Sequence, residues 1–477
     1  MKGEIMKYEF LNKSDLEAIH EATLDILETI GVRSASQRFL DKCAELGLNV
    51  KDGTVYFPRD IVNEALKKAP SQFTLYSRDG KHDAELGAEG KVYSQTCIGS
   101  PFINDIETGK RKLVTYEELE NHVRVCDALD NIDIISAIFP KDVPEHAAVT
   151  YETAAQVKNT TKPLHICIES DHEMKYIPGV LAGAVGGMDK LVEKPIAYLQ
   201  VSPISPLDYA VGPANGLLDT VEANLPLGII PCPMMGATGP MTMIGSVAMH
   251  NAEMVAGVVV AQLMRPGLPC VMSPRVTFID MRTAVGLWAA PEMGMAGHCS
   301  MQMANYYGIP NEPTGFSCSS KICDEQAGFE RMYNALIPAI GGASIVGTAC
   351  SGDNALIADY ATTVMDDEIS SIIKHTVKGK VVNTDTLAVE AIREVVNGER
   401  NFLGNEHTFR YLRSELWEPI LCERATYEAW DSNGRVTYGE KALAKAKDLY
   451  YNYKSEPLSD ECAAAVDAAV KAAVDKA

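Results

Sequence analysis

The sequence has no surplus of positive charge. Its 43 lysines and arginines are outnumbered by 64 aspartates and glutamates, which gives a formal net charge of −21. That balance excludes a nucleic-acid-binding role, which needs a basic stripe, and it disfavours docking on an anionic membrane. A small anionic ligand remains compatible, because a few local cations outweigh distant charge at short range. No apolar run reaches the roughly 18 residues of a membrane span; the longest stretch, 255–263, is bounded by Glu253 and Arg265. The start, Met1-Lys2-Gly3-Glu4, lacks a secretory signal pattern. The 12 cysteines follow no framework spacing and are expected to be reduced, in a cytoplasmic protein. There is no phosphate-loop Gly-x-x-x-x-Gly-Lys and no Gly-x-Ser-x-Gly nucleophile elbow.

What is present is a rhythm. Residues 1–88 read as an α+β extension. Ser14-Asp15-Leu16-Glu17 has the form of a capping box, and Leu16, Ile19, Thr23, Leu27 and Ile30 follow at helical spacing up to Gly31. A second helix is expected at 36–46, then strands at 55–57 and 73–76 around a helix at 59–68. From 89 to 380 short β-branched runs alternate with helical stretches. Strands are expected at 92–98, 132–139, 163–168, 195–201, 227–232, 269–273, 310–316 and 343–348. The helices after them are expected at 115–128, 145–158, 171–185, 213–223, 241–264, 291–307, 324–340 and 360–374. Eight strand–helix units is the count that closes a (β/α)8 TIM barrel. An open doubly wound sheet is the competing arrangement, and the missing glycine-rich fingerprint after the first strand counts against it. Residues 381–477 read as a helical region. Its Ala-rich end, 459–476, is expected to pack on the barrel exterior or on a neighbouring subunit of a homo-oligomer.

In a barrel the active site lies at the C-terminal ends of the strands. The fifth loop carries Met234, Met235, Gly236, Thr238 and Gly239. Its glycines allow close backbone approach to a ligand ahead of a helix N-terminus, or simply make a tight turn. The sixth carries Arg275, Asp280-Met281-Arg282-Thr283 and Trp288. Two guanidinium groups suit a carboxylate, and an indole face attracts a quaternary ammonium; an Asp280–Arg282 pair serving the loop itself suits the pattern equally. The seventh runs from Phe316 to Lys321, a possible anion contact or a solvated lysine, and the eighth includes Asp353. The third strand ends in Glu169, which can face a cation. Of 19 methionines, 13 fall between Met234 and Met303, which suits either helix packing or an apolar rim for a large flat ring. His165-x-Cys167 shares one strand face, and Cys318 and Cys323 are five apart. Neither has a third ligand at zinc-like spacing, so no tightly bound metal is expected.

As a set, these stretches are similar to a known family. They are Pro231-Cys232-Pro233-Met234-Met235-Gly236-Ala237-Thr238-Gly239-Pro240, Asn251-Ala252-Glu253, Ala261-Gln262-Leu263-Met264-Arg265-Pro266-Gly267 and Asp280-Met281-Arg282-Thr283. Tyr306-Tyr307-Gly308, Ser320-Lys321, Asp324-x-Gln326-Ala327-Gly328 and Phe102-Ile103-Asn104-Asp105-Ile106-Glu107-Thr108-Gly109 belong with them. Together they resemble the trimethylamine methyltransferase superfamily over nearly the whole chain. The resemblance implies a barrel, a corrinoid-dependent methyl transfer and a separate corrinoid-carrying partner, since no Asp-x-His-x-x-Gly corrinoid motif occurs here. Trimethylamine enzymes of that superfamily carry pyrrolysine near the seventh loop, where this chain has only ordinary residues. Members without it look like demethylases of quaternary amines such as glycine betaine, proline betaine or carnitine. The resemblance therefore implies aromatic or carboxylate walls, with Phe139, Glu169, Trp288 and Phe316 as candidates, and carboxylate clamps, with Arg275, Arg282 and Lys321 as candidates. Met234, Met235, Gly236, Thr238, Gly239 and Asp353 are expected to face the corrinoid. Two alternatives stay open: a zinc-dependent corrinoid methyltransferase acting on methanol or a thiol, and a non-catalytic quaternary-ammonium-binding barrel.

Overall fold

Short apolar strands separated by helices bury both faces only by pairing in parallel between helical layers. A computed structural model of the chain describes residues 8–168, 170 and 172–475, and the pairing is of that kind. Leu164–Ile168 pairs in parallel with Ala197–Val201, which pairs with Leu227–Ile229, which pairs with Cys270–Met272. Tyr93–Thr96 pairs in parallel with Ile345–Ala349. Single parallel bridges join these ladders: Gln95 with Ile134, Ile135 with Leu164, Met272 with Asn311 and Thr314 with Gly347. The architecture is α/β, and the succession of pairings leads from residue 93 around to 345 and back.

Two expected strands, 132–139 and 310–316, make only these isolated bridges and no continuous ladder. Pro310 and Pro313 have no N–H to give to one. In the other segment Asp133 and Ile134 both donate to the Ser94 carbonyl, at 2.9 and 3.1 Å, which interrupts the regular alternation.

The helical spans follow the sequence pattern closely, with shifts at the ends. The first helix, Lys13–Asp25, is capped by Asn12 with Asp15 as the reciprocal partner; the box sits two residues before the expected Ser14–Glu17. Its last turn widens into a π turn, Ile26–Ile30, and Gly31 follows at φ +74, ψ −173, a positive-φ exit that glycine alone adopts readily. Any Cβ there would come within 2.6 Å of the Val55 carbonyl. The helix expected at 171–185 spans Ile177–Val185 and is preceded by a 3-10 turn, Glu173–Lys175.

The helix Met243–Met264 is long and apolar enough to cross a membrane, with mean hydropathy 1.4 over its best window, but 83% of that window is buried inside the protein. It is a core helix. One continuous apolar cluster runs from Leu24 through the strands to Val466, so the N-terminal and C-terminal segments share the central core. The Ala-rich helix Asp460–Asp475 lies on Ile177–Val185 at backbone contact: a Cβ on Gly183 would meet the Val466 nitrogen at 3.1 Å.

Candidate active site

Alternate residues of each strand face inward. Toward the N-terminal ends of the strands that face is apolar. Ile134, Tyr198, Val271 and Ile345 form one buried cluster with Leu75, Ala84 and Leu86 of the hairpin Phe73–Leu75/Ala84–Leu86, which covers that end. Further along the strands the inner face turns polar. Gln95, Ser136, His165, Gln200, Ser273 and Glu312 are all at most 2% exposed.

These six side chains satisfy one another. His165 Nε2 lies 2.7 Å from Gln200 Oε1, and its Nδ1 lies 2.8 Å from Ser136 Oγ and 3.2 Å from Gln95 Nε2. Gln200 Nε2 donates to Ser273 Oγ at 2.7 Å and to Glu312 Oε2 at 3.4 Å, so the Gln200 oxygen must accept. That assignment puts the imidazole proton on Nε2 and leaves Nδ1 accepting. Both ring nitrogens are thereby engaged, so His165 offers no open ligand position beside Cys167. Tyr198 stacks on the ring with centroids 4.7 Å apart and donates to Gln95 Oε1 at 2.5 Å. Burial holds the His165 imidazole down to about 3, so it is neutral at pH 7.

Glu312 is ion-paired with Arg275, whose Nη1 also donates to the Glu312 carbonyl at 2.6 Å. Burial pushes the Glu312 carboxyl up, and Arg275 beside it opposes that shift. Gly347 makes room for the pair: a Cβ there would stand 2.0 Å from Glu312 Oε1 and 2.9 Å from Arg275 Nη2. The Arg275 N–H donates to His250 Nε2 at 3.1 Å, and burial, aided by the Arg275 charge, lowers that imidazole to about 3 as well.

Above this layer the loops build a rim. Met234–Met235 pairs in parallel with Thr277–Asp280, and that strand pairs antiparallel with Val285–Leu287, so the fifth and sixth loops form one small three-stranded sheet. Gly286 lets Met234 and Trp288 converge: a Cβ there would meet Met234 Cε at 3.2 Å and Trp288 Nε1 at 3.5 Å. Met241 and Met281 converge on Gly236 in the same way, and both are largely exposed. The eighth loop closes the circuit. Asn354 Oδ1 accepts from the Trp288 N–H at 3.3 Å and from Ser319 Oγ at 3.0 Å, which ties the sixth, seventh and eighth loops together. Asn104 donates to the Lys321 carbonyl at 3.0 Å and to Asp359 Oδ2 at 2.9 Å, bracing the seventh loop from the first.

The comparisons with known proteins bear on this site. A profile of the trimethylamine methyltransferase (MTTB) family matches residues 1–475. The chain belongs to that family. It is accordingly a methyltransferase. Among MTTB relatives, the trimethylamine methyltransferase MttB of Desulfitobacterium hafniense is 30% identical over 97% of this chain and 93% of its own length. A glycine betaine methyltransferase of the same species is 28% identical over 98% of this chain and 97% of its own. The crystal structure of the Methanosarcina barkeri monomethylamine methyltransferase MtmB shares the fold, with a TM-score of 0.56 at 12% identity over 98% of this chain and 88% of that one.

In this MTTB-family chain the rim gathers Met234, Met235, Trp288 and the turn of Gly236, Thr238 and Gly239. Trp288 is half-buried, and Met235, Leu287 and Trp288 share one apolar cluster. Asp353 is half-buried and sits 3.1 Å from the Lys321 ammonium, so Lys321 is partnered within the rim. The other cations are disposed differently. Arg275 is committed to Glu312 below the rim, and the Arg282 side chain is 90% exposed and pairs with Asp280. Phe316 is fully buried in the main core, and Phe139 is half-buried beneath the Lys141 ammonium, 3.7 Å from the ring centroid. Glu169 lies outside the described residues.

The inner polar set of Gln95, Ser136, Gln200 and Glu312 is not among the residues expected from the sequence, where His165 stands only as a metal-ligand candidate. The signal was available: a lone amide, imidazole or carboxylate at an inward position of an otherwise apolar strand, as in Ala-Tyr-Leu-Gln-Val.

Proposed function

We propose that this enzyme demethylates a quaternary amine, a betaine such as glycine betaine, proline betaine or carnitine, and passes the methyl group to the Co(I) corrinoid of a partner protein. The observation that carries the reading is the state of the inner polar face: among its described residues, His165 is neutral and Glu312 is paired with Arg275. A quaternary nitrogen leaves as a neutral tertiary amine and needs no proton donor. A neutral amine needs activation first. A preorganised face without a spare acid therefore suits a reaction that depends on in-line orientation. The glycine betaine relative matches this chain nearly end to end, and the seventh loop, Phe316 to Lys321, holds ordinary residues where the trimethylamine enzymes it resembles carry pyrrolysine.

Eight parallel segments that pair in a full circle support a (β/α)8 barrel over 89–380 as the catalytic unit, with 1–88 as an α+β extension and 381–477 as a helical region. The Trp288 indole is assigned to the ammonium end of the substrate, and Lys321 to its carboxylate through exchange with Asp353. Arg275 acts by holding Glu312. The corrinoid, when its carrier docks, supplies the nucleophile. The exposed Met241 and Met281, with Met234, Met235 and the Gly236–Gly239 turn, form an apolar rim that suits a broad flat ring. We place the protein in the cytoplasm as a homo-oligomer that meets the corrinoid on its partner.

Calorimetric titration with glycine betaine tests the cation wall. Trp288→Ala is expected to weaken binding by roughly 2- to 30-fold, with Trp288→Phe retaining most of the affinity, in line with about 0.5–2 kcal/mol for a cation over an aromatic face. Equal affinity in Trp288→Ala and the parent would remove Trp288 from the site.

A further inference from the structure

Among the described residues, one group of three histidine, cysteine or carboxylate side chains has a donor atom from each within 4.8 Å of the others: His122, Cys126 and Cys350. All three are at most 1% exposed, and the methyl-transfer reading uses none of them. His122 and Cys126 are one turn apart on the helix Tyr116–Asp127, which puts them on one face. Cys126 Sγ is 3.9 Å from each ring nitrogen of His122. Cys350 arrives from the end of the strand Ile345–Ala349 with φ +71, a region that residues with a Cβ rarely adopt. Two contacts hold it there: its N–H donates to Asp366 Oδ2 at 2.5 Å, and the next carbonyl, Ser351, accepts from Arg331. Constrained backbone of this sort is typical of positions where a side chain is held for a task.

Asp366 steadies this strand end. Asp366 is 0% exposed, and its Oδ1 has no hydrogen-bond partner among the described residues, while Oδ2 takes Arg331 Nη1 at 2.7 Å and the Cys350 N–H. A thiolate–imidazole donor set selects a zinc-like ion over magnesium or calcium. With Zn–S about 2.3 Å and Zn–N about 2.0 Å, tetrahedral donor–donor edges are roughly 3.6–3.8 Å, so the widest separation here closes by only about 1 Å. Two thiolates and a divalent ion sum to zero charge, which suits a fully buried position. Lys162, whose ammonium donates to the Cys126, Leu129 and Ile132 carbonyls at 3.0, 2.5 and 2.7 Å, sets positive charge where it favours the thiolate form.

We infer that His122, Cys126 and Cys350 bind a structural zinc ion as its three protein donors. Binding replaces two S–H bonds with two Zn–S bonds, and both protons leave to solvent. The ion ties the helix Tyr116–Asp127 to the start of the eighth loop and so fixes Asp353 and Asn354 at the rim. This departs from the expectation of no tightly bound metal, which weighed only the His165/Cys167 and Cys318/Cys323 pairs. It is also separate from the zinc-dependent alternative, whose metal would sit at His165 and Cys167.

The test uses the full chain, purified under reducing conditions, stripped with a chelator and titrated with Co2+ alone. A saturable thiolate-to-cobalt charge-transfer band at one equivalent is expected, with tetrahedral visible bands, release of two protons per ion and competition by Zn2+. Cys126→Ser and Cys350→Ser should each weaken Co2+ binding more than tenfold, and Cys167→Ser should leave it unchanged. No charge-transfer band in the parent protein overturns the inference without reliance on any variant. So does a band that survives in both single variants, or a Cys126–Cys350 disulfide found by thiol titration of protein handled without reductant.

Discussion

Glu312 and Arg275 are 37 residues apart, yet together they set the charge of the inner face. Each is nearly water-free, so each depends on the other. Removing one partner of a buried pair leaves an uncompensated charge and typically costs about 3–5 kcal/mol. Glu312→Gln should lower stability to urea by that order, and Gly347→Ala should mimic it by driving a methyl group into the Glu312 carboxylate. Unchanged unfolding midpoints in both would show the pair to be dispensable. The pair is not legible in the sequence, because Arg275 there suits a substrate clamp and Glu312 lies inside an expected strand. Other motif residues were legible as markers, and the structure supplies their physical reason. Asn251 donates to Thr23 Oγ1 and Tyr307 Oη, both at 2.8 Å, and Glu253 accepts from Ser205 Oγ at 2.9 Å and the Leu207 N–H at 2.7 Å. They brace the scaffold.

Burial raises the Glu253 carboxyl to about 7 from its ordinary 4.5. The folded chain then holds a proton that the unfolded chain releases between those values. Stability from this group is therefore greatest below pH 4.5 and falls as the pH rises through 7. Between pH 5 and pH 8 the loss should be about 2–3 kcal/mol. Urea denaturation of Glu253→Gln at the two pH values should show that difference shrink relative to the parent; an identical pH dependence in both proteins would contradict the assignment.

At the scale of elements, length and periodicity carried most of the fold. Helices such as Pro291–Tyr307 fall where apolar spacing puts them. The departures have local causes: prolines that break the ladder at 310–316, and a capping box displaced to Asn12 because Asn12 and Asp15 cap each other directly. The rim sheet was invisible beforehand, since strands of two to four residues carry no periodicity. The C-terminal helices raise a different point. Val389–Asn397 buries only Val395, and Glu406–Glu415 buries nothing, although Leu403 and Phe409 beside and within them are 78% and 69% exposed. Helices of nine or ten residues are not stable alone in water and rely on packing of an apolar face. A second copy of the chain is the partner expected for that face. Light scattering after size exclusion should report an oligomer for the parent and a smaller species for the double substitution Leu403→Glu/Phe409→Glu. A monomeric parent would contradict self-association.

At the scale of the whole molecule, the α/β rhythm, the shared core and the family all follow from the chain read end to end. The substrate does not, because it depends on a few side chains at the rim whose partners come from distant loops. Orientation, an apolar rim and a neutral polar floor together suit methyl transfer from a nitrogen that already carries its charge. The direct measurement is an anaerobic assay with free cob(I)alamin and a panel comprising glycine betaine, proline betaine, carnitine and trimethylamine, following methylation of the cobalamin by its absorbance. Conversion with at least one betaine and none with trimethylamine is the predicted result; activity on trimethylamine with every betaine inert would contradict the account.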